Sequence, residues 1–208
     1  TIRIANNATL QSTGANVDLT ANRSITMAGV GATIEVTSTN RLTVPGALNG
    51  DECHTLTKTG TGTLVLTNAT NGASFTGPTI VSTGVLQVGV TVGQTGSGLL
   101  TVATAGTVSG TGTVRAESVT FASGSTLHAG DGTAVTDHGT LTFTPVTGGG
   151  THSLQGGITL GINTATVTDG SYGGNLVGTA GYNAFVDAVA GVGNHDRLVF
   201  SNDDTATG

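Results

Sequence analysis

Residues 56–88, LTKTGTGTLVLTNATNGASFTGPTIVSTGVLQV, decide the fold. Three segments of this stretch, at 56–58, 64–66 and 86–88, alternate apolar residues with Thr, Lys, Val or Gln, which is the period-two pattern of a strand that buries one face. No segment has the spacing of an amphipathic helix. We therefore predict three short strands. The predicted buried side chains are Leu56, Leu64, Leu66, Leu86 and Val88.

Glycine, proline and asparagine lie between these strands. They occur as Gly60-Thr61-Gly62, Asn71-Gly72, Gly77-Pro78 and Thr83-Gly84. Such residues tolerate positive φ or fix φ, and so they reverse the chain at little steric cost. The Gly-Thr-Gly runs at 60–62 and 110–112 are not phosphate-binding loops, because no Gly-Lys-Ser/Thr sequence follows them and no helix begins there. We predict turns at all of these positions.

The same strand-and-turn pattern recurs along the whole chain. The apolar positions spaced two residues apart are Ile25 and Met27, Ile34 and Val36, Leu42 and Val44, Val119 and Phe121, Leu141 and Phe143, Ile158, Leu160 and Ile162, and Leu198 and Phe200. A unit of one strand and one turn is too small to bury its own face, so it becomes stable only by stacking on its neighbours. The sequence therefore predicts an all-β fold, a β-solenoid. We expect one continuous domain over 1–208, with a repeat core at about 20–130 and less regular coils at 131–208.

The order of residues in this stretch also carries a family resemblance. Leu56 to Thr67, then Phe75 to Thr79, then Thr83 to Val88 resemble the strand-loop-strand repeat of bacterial autotransporter passenger domains. Segments 22–36, 108–130 and 195–200 are similar to the coils that flank this repeat. The resemblance implies a right-handed parallel β-helix at the cell surface or outside the cell. It implies no active site, because the family shares none.

The composition excludes several partners. Charged residues are 9% of the chain, and the formal net charge is −6. Six basic residues spread from Arg3 to Arg197 cannot form the cationic stripe that a phosphate backbone requires, so we expect no nucleic-acid partner. No apolar run approaches the roughly 20 residues of a spanning helix, so we expect no membrane insertion by this chain. Abundant Val, Ile and Thr predict a folded, sheet-rich protein rather than disorder.

Cys53 is the only cysteine, so an intrachain disulfide is impossible. Cysteine avoidance is compatible with an oxidising exterior. The sequence starts at Thr1 without an initiator Met or a charged and then apolar leader. We expect a processed or partial chain whose export signal has been removed, located at the cell surface or outside the cell.

Asp51-Glu52-Cys53-His54 places a thiol, an imidazole and two carboxylates in consecutive positions. Cys-His catalysis needs a third, orienting group in space, and metal sites usually show a second Cys or His at a defined spacing. Neither is visible in the sequence, so a structural role is favoured. A metal site or an interchain thiol is the alternative, and catalysis is the last option.

Other polar groups of the sequence are also candidate sites. The acidic and histidine candidates are Asp131, Asp137, His138, Asp169, Asp187, Asp196, Asp203 and Asp204. Calcium binding or glycosidic acid-base chemistry would need these groups to converge, and their spacing gives no calcium-loop pattern, so solvated turns are favoured. Three glycosylation triplets begin at Asn7, Asn22 and Asn68, as expected by chance in a Thr-rich chain.

These observations favour a non-enzymatic protein. We expect a surface-displayed rod, an adhesin or a fibre subunit, with no catalytic, cofactor-binding or metal-binding residue. Its partners would be further copies of itself, joined by end-to-end strand pairing, or cell-surface and matrix components. Two alternatives stay open. One is a carbohydrate-binding or carbohydrate-cleaving β-helix, and the other is a passenger fragment of a larger autotransporter.

Overall fold

The computed structural model of the chain describes residues 1–89, 95–130, 139–145, 152–154, 157–159 and 197–200. Nearly all of its regular structure is strand, as β-branched residues between glycine turns predict. The strands are β1 (Ile2–Ala5), β2 (Thr9–Ser12), β3 (Val17–Asp18), β4 (Ile25–Ala28), β5 (Gly31–Val36), β6 (Arg41–Val44), β7 (Leu48–Asn49), β8 (Thr55–Thr59), β9 (Thr63–Leu66), β10 (Thr79–Val88), β11 (Leu100–Gly110), β12 (Thr113–Ala116), β13 (Val119–Phe121), β14 (Thr126–Ala129), β15 (Thr140–Pro145), β16 (His152–Leu154), β17 (Gly157–Thr159) and β18 (Arg197–Phe200). One helix, α1 (Asn71–Ser74), lies between β9 and β10.

All pairs between the named strands are parallel and join strands of successive coils. Ile2 is opposite Ile25, and Ile25 is opposite Leu48, so one coil takes 23 residues there. Parallel strands need a long crossover, and here the rest of the coil is that crossover. The chain is a β-solenoid of about 6 stacked turns, which confirms the predicted fold class.

Three faces surround the core. The first face holds β1, β4 and β7 and, further along, β12, β15 and β18. The second face holds β2, β5, β8, the start of β10 and β11, β13 and β16, and the third holds β3, β6, β9, the end of β10 and β11, β14 and β17. We call β4 to β6 coil 2, β7 to β9 coil 3, and α1 with β10 coil 4.

The core is a set of apolar columns that run through the coils. On the third face, Leu42, Leu64, Leu86, Val108 and Leu127 are register partners in successive coils, and none is more than 3% exposed. All five side chains predicted to be buried in the deciding stretch are buried. Each buried aliphatic side chain contributes roughly 1.5–3 kcal/mol, so the columns supply most of the stability.

The structure differs from the predicted pattern in two places. The predicted Asn71-Gly72 turn is the start of α1, a single helical turn. The Asn71 side chain is fully buried there, and its Oδ1 accepts a hydrogen bond from the Leu48 N–H at 2.9 Å. This bond replaces the strand partner that coil 4 lacks on the first face.

The predicted turn at Thr83-Gly84 is a bend inside one strand. β10 runs from Thr79 to Val88, and its pairing with β11 shifts register between Val81 and Thr83. Gly84 has φ +71°, which lets the chain bend without leaving the sheet. One strand therefore serves two faces of the solenoid.

Replacing Leu64 by Ala should destabilise the native state by about 2–5 kcal/mol, because the substitution opens a cavity between Leu42 and Leu86. Urea unfolding followed by circular dichroism measures the change. Thr101→Ala, at an exposed position, is the control and should change stability by less than about 0.5 kcal/mol. Equal effects of the two substitutions would contradict the proposed core.

Candidate functional site

A lysine lies inside the apolar core, at the corner where the second face meets the third. Lys58 is the register partner of Ile34 in coil 2 and of Val81 in coil 4, so it occupies an inward position. Its side chain is 0% exposed. The sequence does indicate the inward position, because Lys58 follows the buried Leu56 by two residues. The strand prediction misses the burial of Lys58, since it places lysine among the polar residues that alternate with the buried apolar ones.

The Lys58 ammonium is fully hydrogen-bonded. Nζ donates to the carbonyl oxygens of Thr59 at 2.7 Å and Gly60 at 2.8 Å in its own coil. It donates a third bond to the carbonyl of Thr83, in coil 4, at 3.2 Å. An ammonium has three donors, so these bonds use all of them. Charge-assisted bonds of this kind are stronger than neutral ones, and they link the two coils.

Gly84 makes room for this arrangement. A Cβ atom at this position would lie 2.9 Å from Lys58 Nζ and would overlap the Gly60 carbonyl oxygen. The positive φ of Gly84 would also strain any other residue. Lys58 and Gly84 therefore fit each other across the boundary between coils 3 and 4.

Burial lowers the pKa of Lys58 to about 8, because the core solvates the charged form poorly, while the Glu35 carboxylate opposes the shift. Glu35 lies in β5 and accepts a hydrogen bond from Gln11 Nε2 at 2.7 Å. At neutral pH the ammonium form therefore prevails. Since this ammonium has no exposed surface and no free lone pair, it is suited to holding the chain and unsuited to nucleophilic chemistry.

Phe75 is the second unusual core residue of this region. Its ring is fully buried, and its backbone pairs with Gly50 of coil 3. A Cβ at Gly50 would lie 3.1 Å from the ring, and one at Gly96 would overlap it. Two glycines thus let one aromatic ring fill the core beside α1.

The predicted Asp51-to-His54 cluster is an exposed turn. Asp51 Oδ1 lies 2.5 Å from His54 Nδ1 and accepts a hydrogen bond from the Cys53 N–H at 3.1 Å. That backbone bond, with help from His54, lowers the pKa of the Asp51 carboxyl. Cys53 is exposed, and within the described residues its thiol has no hydrogen-bond partner. The turn brings the carboxylate and the imidazole together.

The other predicted acidic sites cannot be placed. Asp131, Asp137, His138, Asp169, Asp187, Asp196, Asp203 and Asp204 all lie outside the described residues, as do the predicted strand positions Leu160 and Ile162. In the described part of the chain, no three His, Cys, Asp or Glu residues are grouped as metal ligands would be. No helix in that part could span a bilayer.

The glycosylation triplets differ in how their amides are used. Asn7 and Asn22 are exposed. Asn68 is engaged on both sides of its amide: Nδ2 donates to the Pro45 carbonyl at 3.0 Å, and Oδ1 accepts from the Thr70 N–H at 2.8 Å. A glycan on Asn68 would disturb these bonds, whereas the other two positions would tolerate one.

A polar column on the third face was not predicted. Gln87, Ser109 and His128 are register partners that point away from the core, yet each is no more than 3% exposed. Arg41 Nη1 donates to Gln87 Oε1 at 2.9 Å. Both ring nitrogens of His128 lack a hydrogen-bond partner within the described structure. Alternation alone predicts that all three side chains are exposed to solvent, so no sequence signal could have revealed their burial.

Comparison with known proteins gives one family. Residues 56–88 match the model of the passenger-associated-transport-repeat. The chain carries an autotransporter passenger repeat. This passenger repeat covers β8, β9, α1 and β10, and so it contains Lys58, Phe75 and Gly84. No curated protein and no solved structure matches the chain.

Gly84→Ala should destabilise the protein more than Gly14→Ala. Gly14 also has positive φ, +90°, but nothing lies within 4 Å of the added methyl group, so it reports the backbone strain alone. The extra loss at Gly84 should be about 1–3 kcal/mol, the usual effect of overpacking. Urea unfolding of both variants measures it. Equal losses of unfolding free energy in the two variants would contradict close packing at the corner that contains Lys58.

Lys58 should make stability depend on pH between about 8 and 10.5. The native chain releases this proton near pH 8, whereas the unfolded chain keeps it up to the ordinary value of 10.5. The unfolded state therefore binds more protons in this range, and stability contributed by Lys58 rises with pH. Urea unfolding across the range should show this rise relative to Lys58→Met, which lacks the group. Parallel curves for the two proteins would refute the assignment.

Proposed function

We propose that the chain is a stretch of an autotransporter passenger and that its role is structural or adhesive. In this proposal it is displayed at the cell surface as a rod, an adhesin or a fibre subunit, and it catalyses no reaction. The observation that carries the proposal is the passenger repeat at 56–88, folded into a continuous parallel stack. The reactive groups of that repeat stabilise the stack of coils.

The side chains that an enzyme or a sugar-binding protein would use support this reading. Lys58 has all three donors bonded to backbone carbonyls inside the core. Phe75, Phe121 and Phe143 are at most 1% exposed, so none of them offers a face for stacking on a sugar ring. The carbohydrate-directed alternative therefore has no aromatic platform among these rings.

The outer surface of the second face suits a rod in contact with the medium. One outward column is made of register partners, Thr9, Thr33, Thr57, Ile80, Thr101 and Thr120. Threonine hydroxyls are hydrated without adding charge, and β-branching restricts the side chains to few rotamers. Such a surface favours solubility without attracting nucleic acid.

Self-association through strand edges is the proposed mode of assembly. Among the described residues, β1, β2 and β3 pair only with strands of the next coil, so their other edge can accept a further coil. Ile2, Leu10 and Leu19 beside this edge are only partly buried. A strand edge beside apolar side chains favours pairing with a further coil, and another copy of the chain could supply one. Cell-surface and matrix components are the other proposed partners.

Antibodies raised against the purified chain should label intact cells of the source organism, and protease added outside the cells should remove the label. Labelling that requires permeabilised cells would contradict surface display. A cytoplasmic protein of the same cells serves as the control for membrane integrity.

The structural role requires a second measurement. Purified chain should form rods in negative-stain images and should release no reducing ends from a panel of polysaccharides. A disrupted variant, Leu64→Asp, controls for contaminating hydrolases, because it loses the core but follows the same purification. Cleavage by the intact chain, absent in this variant, would replace the structural proposal with the enzymatic one.

A further inference from the structure

The apolar pattern does not by itself fix how coil 4 aligns on coil 3. Native partners are Leu56 with Thr79, Lys58 with Val81, and Leu64 with Leu86. A slip by one residue would turn every buried side chain outward, and burial forbids it. A slip by two residues keeps the inward alternation on each face, with Thr79 or Thr83 in the place of Val81 and Gly84 or Val88 in the place of Leu86. Some other feature must select among these alignments.

The Thr83 carbonyl is one such feature. Ladder pairing between coils 3 and 4 stops at Val81 with Lys58 and resumes at Val85 with Thr63. Within this gap the Thr83 carbonyl lies outside the ladder and accepts from Lys58 Nζ. After a two-residue slip, of about 6.6 Å, Lys58 would face backbone whose carbonyls belong to the regular ladder. The buried ammonium would then lose a partner, which is unfavourable in a core.

Gly84 is an independent feature. In the native alignment it lies where a Cβ would overlap the Gly60 carbonyl. A slip by two residues in either direction would put Ser82 or Leu86 at that place. Either side chain would overlap the corner of coil 3. The two features exclude the same wrong alignments for different physical reasons, one electrostatic and one steric.

We propose that Lys58 and Gly84 form a register lock, in which the buried ammonium and the missing side chain together permit a single alignment of coil 4 on coil 3. The lock is a device for specificity. Burying an ammonium is unfavourable, and apolar replacements of buried ions are often neutral or stabilising, so specificity is the benefit that explains the residue. Glu35, in coil 2, is the charged group of the described residues that acts on Lys58.

Cross-linking reads the register directly. All variants carry Cys53→Ser. Thr57 and Ile80 are outward register partners, so Thr57→Cys with Ile80→Cys reports the native alignment. Thr57→Cys with Ser82→Cys, and Thr59→Cys with Ile80→Cys, report slips in the two directions. Adjacent strands are about 4.8 Å apart, within disulfide reach, whereas diagonal pairs are about 8 Å apart and beyond it.

With Lys58 present, refolding at pH 7 followed by oxidation should link the native pair and leave both slipped pairs free. Because the steric feature at Gly84 would still oppose a slip, Lys58→Met is combined with Ser82→Gly, which leaves no side chain to overlap coil 3 when residue 82 takes the place of Gly84. With both substitutions, the Thr59→Cys and Ile80→Cys pair should form and the native disulfide should fall correspondingly, while the far-ultraviolet circular dichroism still reports a sheet. Ser82→Gly with Lys58 intact should keep the native pair. Leu56→Met is the matched control, since it changes an inward residue of the same strand. It should leave the native pattern intact. An unchanged pattern in the chain that carries both Lys58→Met and Ser82→Gly would overturn the proposal.

If Lys58→Met does not fold, refolding of the protein with Lys58 intact at two pH values tests the lock instead. Above the pKa of Lys58 the amine is neutral and has two donors instead of three, so the lock should weaken. The Ser82→Gly chain with Lys58 intact, refolded at about pH 10, should form the slipped disulfide between Thr59→Cys and Ile80→Cys, which is absent at pH 7. Parallel refolding of Glu35→Gln shows whether that carboxylate contributes. Native pairing alone at both pH values would overturn the lock.

Discussion

A single coil of this protein cannot cover its own apolar side chains, and every other feature depends on that constraint. Leu64 is buried because Leu42 and Leu86 lie beneath and above it in the same column. Each coil therefore needs its neighbours in the correct alignment before it is stable. Stability in such a molecule is a sum over coils and the interfaces between them. Alignment between coils becomes as important as the composition of the core.

The passenger repeat contains the residues that meet this requirement. Lys58, Gly84 and Phe75 are all inside residues 56–88, and each contacts backbone or side chains of an adjacent coil. Lys58 does so through a charge that the core solvates poorly. The residues of this repeat that contact adjacent coils therefore have a structural role in the stack.

Much of the fold could be predicted from the sequence, because period-two alternation directly encodes which side chains face the core. Leu56, Leu64 and Leu86 were assigned correctly for that reason. Lys58 was missed because its type suggests solvent, although its position in the alternation was inward. The helix at Asn71 was missed because four residues are too few for periodicity. The burial of Gln87 and His128 depends on tertiary contacts that no local pattern encodes.

The contacts of the candidate site likewise differ in how far they can be predicted from local sequence. The carboxylate and imidazole of the Asp51 turn are only three residues apart in sequence, and so their contact could be expected. The corner of Lys58, in contrast, joins Gly60 and Thr83 from two coils. Contacts across coils need the register, and the register is known only once the coils are stacked.

The central claim is that successive coils stack in parallel at a constant spacing. Spin labels at Thr9→Cys and Thr120→Cys, in a Cys53→Ser background, test it by pulsed electron paramagnetic resonance. The two positions lie on one outward column, five coil steps apart. The account predicts a narrow distribution centred near roughly 24 Å, five strand spacings of about 4.8 Å. A broad distribution, or a distance that five stacked coils cannot give, would contradict it.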